Sequence, residues 1–137
     1  MNLWEWVKNL LNITEAPATT EPENRRLSEE EAALIEWLLR NGTADAQNFL
    51  PQLRNLTVTG GCNCGCPTID LQVDDDLPYV KSQTRVLADF QGTSGEDLLV
   101  HVMLHQSQGR LGELEIYSLL GKKGRFGLPS IEGLSRN

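Results

Sequence analysis

Basic residues are scarce in this sequence: 12 Lys and Arg stand against 19 Asp and Glu, a formal charge of −7 over 137 residues. Broad affinity for nucleic acid or an anionic membrane comes from clustered Lys and Arg, so the net charge argues against a phosphate-tracking surface while leaving room for local basic patches. Long apolar runs are missing as well. No stretch approaches the roughly 20 apolar residues of a membrane span, and residues 1–12 (MNLWEWVKNLLN) have neither the basic start nor the small-residue cleavage site of a secretory leader. Together these absences predict a cytoplasmic protein. The chain is also too short for a (β/α)₈ barrel of about 250 residues, and it lacks the repeated βαβ units of a dinucleotide-binding domain. Catalytic signatures are absent: there is no G-x-S-x-G elbow and no phosphate-binding P-loop, and Val102 rather than Glu follows His101, which removes H-E-x-x-H. No catalytic residue is assigned.

Hydrophobic and charged fractions of 39% and 23% are those of a folding domain. Residues 1–12 place Leu3, Trp4, Trp6, Val7, Leu10 and Leu11 on one wide helical face. So short a helix is marginal alone, and it is expected to act as an accessory element that docks on its own domain, a protein partner or a second copy. Residues 13–26, with two prolines and no apolar period, read as a linker. The remainder, 27–137, is expected to form one α+β domain.

Within that domain Ser28 and Glu31 form a capping box in front of a helix whose buried face carries Ala32, Ile35, Leu38 and Leu39. Thr43 is expected to cap a second short helix limited or kinked by Pro51. From Asn55 onward the period becomes two: Leu56 and Val58; Ile69, Leu71 and Val73; Val86, Ala88 and Phe90, ending at Gly92; Leu114 and Ile116. Residues 98–105 (LLVHVMLH) fit either a strand or a helix, and short glycine-containing turns on both sides favour a strand. The tail through Leu134 is expected to lie irregularly over the surface. The fold class is therefore α+β, with N-terminal helices on one face of a mainly antiparallel sheet of four to five strands.

Cysteine is confined to Cys62, Cys64 and Cys66, an odd local set that cannot staple distant parts of a domain. On a regular strand positions 62 and 66 would be roughly 13 Å apart at about 3.3 Å per residue, too far for thiolates that each lie about 2.3 Å from a shared zinc. Gly60, Gly61, Gly65 and Pro67 permit a tight turn instead, in which the three sulfurs converge on zinc or another thiophilic metal with His101 or His105 as a fourth ligand. Three other readings compete. The thiols could be small buried packing residues, a nucleophile or redox pair activated by a cation such as Arg54, or a local disulfide. His101 and His105 share a face on a strand but stand too far apart to hold one ion together. Asp74, Asp75 and Asp76 lack the spacing of a calcium loop and read as a solvated turn, and Lys122, Lys123 and Arg125 make a local basic loop.

Three stretches, RLSEEEAALIEWLL (26–39), GGCNCGCPTIDLQV (60–73) and GRLGELEIYSLLG (109–121), resemble a group of small uncharacterised bacterial proteins. In that group a helix precedes a C-x-C-G-C-P segment leading into a strand, and a G-x-L-x-E-L-E-[IV]-Y strand closes the domain. The resemblance spans about 26–129 and implies domain limits and an α+β fold. The phrase holding Glu113, Glu115 and Tyr117 also resembles strand ends in small bacterial domains associated with toxin immunity. Two functions follow as expectations: a protein-binding, immunity-like domain without catalysis, or a metal-binding or thiol-active protein built on Cys62, Cys64 and Cys66.

Overall fold

The computed structural model describes residues 24–74, 77–95, 97–121 and 124–136. The expected helix at 1–12, most of the expected linker, Asp75, Asp76, Lys122 and Lys123 lie outside the described residues. Among the described residues seven strands form one antiparallel sheet: β1 (Arg25–Arg26), β2 (Leu56–Gly61), β3 (Ile69–Val73), β4 (Val86–Ser94), β5 (Leu98–Ser107), β6 (Arg110–Ser118) and β7 (Ser135–Arg136), in the order β1-β2-β3-β6-β5-β4-β7. The α+β class holds. The count of four to five strands is corrected to seven, because β1 and β7 are two-residue edge strands too short to show a period. Arg25 and Arg26 belong to β1 rather than to a linker. The tail is ordered by a 3₁₀ turn at Ile131–Gly133 and by β7, which pairs Ser135 with Gln91 and Arg136 with Phe90.

Helix α1 (Glu29–Asn41) starts with the expected box: Ser28 Oγ accepts the Glu31 amide at 3.1 Å and Glu31 Oε1 accepts the Ser28 amide at 2.8 Å. The same carboxylate accepts two bonds from the Arg25 guanidinium, at 2.9 and 3.0 Å, tying β1 to the helix start. Burial pushes the Glu31 carboxyl up, but Arg25 and Ser28 outweigh it and hold the group below its ordinary value. Leu34, Ile35, Leu38 and Leu39 are buried, and the Trp37 ring meets Phe90 of β4 edge-on at 4.9 Å.

The second helix differs from expectation. It is a 3₁₀ helix, η1 (Ala46–Asn55), that contains Pro51. Thr43 does not cap it, since its hydroxyl donates to the Asp45 side chain at 2.9 Å. Together α1 and η1 cover one face of the sheet, where Leu56, Val58, Leu71, Val100, Val102, Leu104, Leu114 and Ile116 are buried. Residues 98–105 form strand as favoured, and β4 runs two residues past Gly92.

Three register shifts shape the sheet. Thr59, Leu87 and Gly112 are each skipped in the pairing, so each is an extra residue in its strand. Leu87 is thereby turned into the core, and its carbonyl accepts the Thr43 amide at 2.8 Å. The opposite face of the sheet carries Asp70, Glu113, Glu115, Tyr117, His101, Met103, His105 and Asp89, all half-buried or exposed. Period-two alternation accounts for both faces.

Candidate metal centre

The three cysteines sit in the turn between β2 and β3. The register shift at Thr59 brings Gly60 opposite Asp70, where the Asp70 carboxylate lies so close to Gly60 that a Cβ there would be 2.7 Å from Oδ2. After Gly61 the chain leaves the sheet and bends back. Gly65 adopts φ +99, a left-handed conformation that suits glycine. A Cβ at Gly65 would lie 2.7 Å from the Gly124 carbonyl carbon and 2.9 Å from the Arg125 nitrogen, so the turn is seated against backbone of the glycine-rich loop. Thr68 fixes its other end, since its hydroxyl accepts the Ile116 amide at 2.8 Å and donates to the Ile116 carbonyl at 3.0 Å.

The turn brings the sulfurs together. Cys62 Sγ and Cys64 Sγ are 2.6 Å apart, and all three Sγ atoms lie within 4.8 Å of one another. The Cys64 amide points at Cys62 Sγ at 3.4 Å and the Cys66 amide at Cys64 Sγ at 3.3 Å, while Cys66 Sγ contacts Thr68 Oγ1 at 3.4 Å. All three are free thiols; Cys62 and Cys64 are exposed and Cys66 is half-buried. Exposure overturns the packing reading for Cys62 and Cys64, because a side chain in solvent fills no gap in a core.

The electrostatics are asymmetric. Cys62 is pushed up to about 11, chiefly because it donates its proton toward Cys64. Cys64 is lowered by hydrogen bonds from Cys62, from Cys66 and from the Cys66 amide. Cys64 is therefore the first thiolate of the set, with Cys62 as its proton donor. Two thiolates sharing a tetrahedral ion at about 2.3 Å each stand roughly 3.8 Å apart, so side-chain rotations that part Cys62 Sγ and Cys64 Sγ from 2.6 Å are needed to seat an ion among the three sulfurs. The donor set suits a soft or borderline cation.

His101 is not brought to the sulfurs. It lies on the open sheet face, with Nε2 2.5 Å from Asp89 Oδ1 and Nδ1 2.5 Å from Tyr117 Oη. Both ring nitrogens are thereby engaged away from the sulfurs. His105 is likewise elsewhere, with Nε2 2.9 Å from Glu115 Oε1. Arg54 is exposed in a cleft with Asn24, Arg25, Arg26 and Asp74, away from the thiols.

No family model, curated protein or solved structure matches this chain. The site is therefore read from its own chemistry. Among the described residues no helix is long and apolar enough to cross a membrane. Sequence reasoning found the cysteines from their glycine-rich setting, and it missed Thr68, whose role depends on the β3–β6 neighbourhood, a pairing between strands distant in the chain.

Proposed function

We propose that the protein binds one thiophilic metal ion, Zn²⁺ or Cu⁺, through Cys62, Cys64 and Cys66. The observation that carries this reading is the convergence of three free sulfurs within 4.8 Å in a solvent-facing turn. A backbone bent by Gly65 and anchored by Thr68 supplies the geometry that an extended strand cannot. With His101 and His105 engaged on the sheet face, a fourth position is left to water or to a ligand brought by another molecule. Titrating the reduced full chain with Co²⁺, a coloured substitute for Zn²⁺, tests the site. The expected result is a thiolate-to-cobalt charge-transfer band that saturates at one ion per chain and is displaced by Zn²⁺. Absence of the band, or a band unchanged after alkylation of the thiols, overturns the reading.

A second reading, protein contact, is favoured by an apolar patch at the end of β5 and β6. Leu99, Tyr117, Leu119 and Leu120 are exposed, Leu120 to 77%, and the Leu119 amide donates to the Leu99 carbonyl at 3.0 Å, which gathers them. The double variant Leu119→Ser/Leu120→Ser is expected to lose self-association or recovered protein partners seen with wild type. Identical sedimentation and identical recovered proteins for both would remove this reading.

A further inference from the structure

The open face of the sheet holds a second group of ligating atoms, separate from the cysteines in both place and chemistry. His105 on β5 and Glu113 on β6 are direct cross-strand partners, and Glu115 follows two residues along β6 on the same face. The nitrogen of His105 and one oxygen from each carboxylate all lie within 4.8 Å of one another. The juxtaposition depends on the bulge in β6. Gln106 pairs with Leu111 and His105 with Glu113, so Gly112 is the extra residue. Were the register of the turn, which pairs Gln106 with Leu111, to continue unbroken, His105 would face Gly112, which has no ligand to offer. Bulges re-aim side chains in this way at functional sites.

The charge balance of the group is incomplete. Glu113 is half-buried and its carboxylate makes no hydrogen bond among the described residues. Burial pushes its carboxyl up, Glu115 pushes in the same direction, His105 pulls it back, and Asp70, its cross-strand neighbour on β3, adds further repulsion. Among the described residues the only ion pair in the group is His105 with Glu115, at 2.9 Å, and no Lys or Arg pairs with either glutamate. Three carboxylates and one imidazole thus meet on a half-exposed surface, and among the described residues no Lys or Arg is ion-paired with either glutamate. A divalent ion supplies the missing positive charge.

We propose that His105, Glu113 and Glu115 form a second metal site, for a borderline first-row divalent cation such as Mn²⁺. One nitrogen and two carboxylate oxygens suit this class, whereas Mg²⁺ and Ca²⁺ take all-oxygen sets and Cu⁺ takes sulfur. On binding, the ion replaces the proton between His105 Nε2 and Glu115 Oε1. The solvent side of the face leaves its remaining positions to water. The two sites sort metals by softness: thiolates in the β2–β3 turn, imidazole and carboxylates on the sheet.

The test uses the full chain, both as wild type and as Cys62→Ser/Cys64→Ser, titrated with MnCl₂ while the electron paramagnetic resonance signal of free Mn²⁺ is followed. One equivalent is expected to bind in both proteins, which separates this site from the thiols. Glu113→Gln is expected to weaken binding at least tenfold and, by removing like-charge repulsion, to leave the melting temperature of the metal-free protein unchanged or raised. His105→Ala is expected to weaken binding to a similar degree. The control Glu36→Gln, on the exposed face of α1 beside Arg40, is expected to bind as wild type does. Absence of binding at millimolar Mn²⁺, or equal affinity in wild type, Glu113→Gln and His105→Ala, overturns the proposal. A lower melting temperature in metal-free Glu113→Gln would mark Glu113 as a structural partner of His105 and would also overturn it.

Discussion

Replacing Gln52 by Ala is expected to lower the free energy of unfolding by about 2 kcal/mol, because the buried Leu111 amide is left without an acceptor, at a typical cost of about 1–3 kcal/mol, while the Gly109 carbonyl keeps the Val80 amide as its other donor. Gln52 sits in η1 and is only 2% exposed. Its Nε2 donates to the Gly109 carbonyl at 2.9 Å, which also accepts the Val80 amide at 2.9 Å, and its Oε1 accepts the Leu111 amide at 2.9 Å, so one side chain bonds both sides of the β5–β6 turn. That turn has no room to adapt. Gly109 adopts φ +83, and a Cβ there would lie 2.6 Å from the Val80 carbonyl oxygen. Gln106, also buried, accepts the Gly109 amide at 2.9 Å and donates to the Thr84 carbonyl at 2.7 Å. The turn is therefore held from three sides by polar groups in a dry environment, where an unpaired group is most costly. Urea unfolding should show a lower midpoint with an unchanged slope. A change smaller than about 0.5 kcal/mol, the range of ordinary surface substitutions, would mean that water replaces the amide.

Nothing in the hydrophobic pattern marked Gln52. Periodicity reveals residues that bury apolar surface, and it located Leu56, Val58, Leu71, Leu114 and the capped helix α1 because each follows its element's period. It is silent about a polar side chain buried to satisfy backbone from a segment 57 residues away. It also missed β1 and β7, whose two residues each depend on neighbouring strands rather than on their own composition. The bulges at Thr59, Leu87 and Gly112 were invisible for a related reason: an extra residue is defined by pairing register, which only the assembled sheet supplies. The same gap explains the sites. The cysteine turn was legible because its glycines and its ligands are contiguous in sequence. The His105, Glu113 and Glu115 group was not, since its members meet only after a bulge has set the register between two strands. The expectation that His101 would join the sulfurs took a chemically suitable residue without its location, and Asp89 and Tyr117 hold it on the open face.

Cys64→Ser is expected to reduce affinity for Zn²⁺ at least a hundredfold, the largest functional effect of any single substitution in the turn. Cys64 lies at the centre of the set: its sulfur is 2.6 Å from Cys62 Sγ and receives the Cys66 amide at 3.3 Å. Its substitution removes the most easily deprotonated thiol, and the metal ligand is the thiolate. It also separates the remaining two donors to the ends of the turn. Cys66→Ser should weaken binding less, because Cys62 and Cys64 remain as an adjacent pair. Fold stability should change little with Cys64→Ser, since the side chain is exposed and fills no core volume. Zinc competition with a chromophoric chelator, alongside thermal melts of the metal-free proteins, separates lost affinity from lost structure. Equal affinity in Cys64→Ser and wild type would contradict a shared three-sulfur site.

The central claim, one thiophilic ion held by Cys62, Cys64 and Cys66, is tested most directly by elemental analysis of the full chain purified under reducing conditions without chelator. The account predicts one zinc or copper per wild-type chain and a stoichiometry near zero for Cys64→Ser purified in parallel. Metal-free wild type that also fails to take up Zn²⁺ or Cu⁺ on titration, or equal metal content in the two proteins, would contradict it.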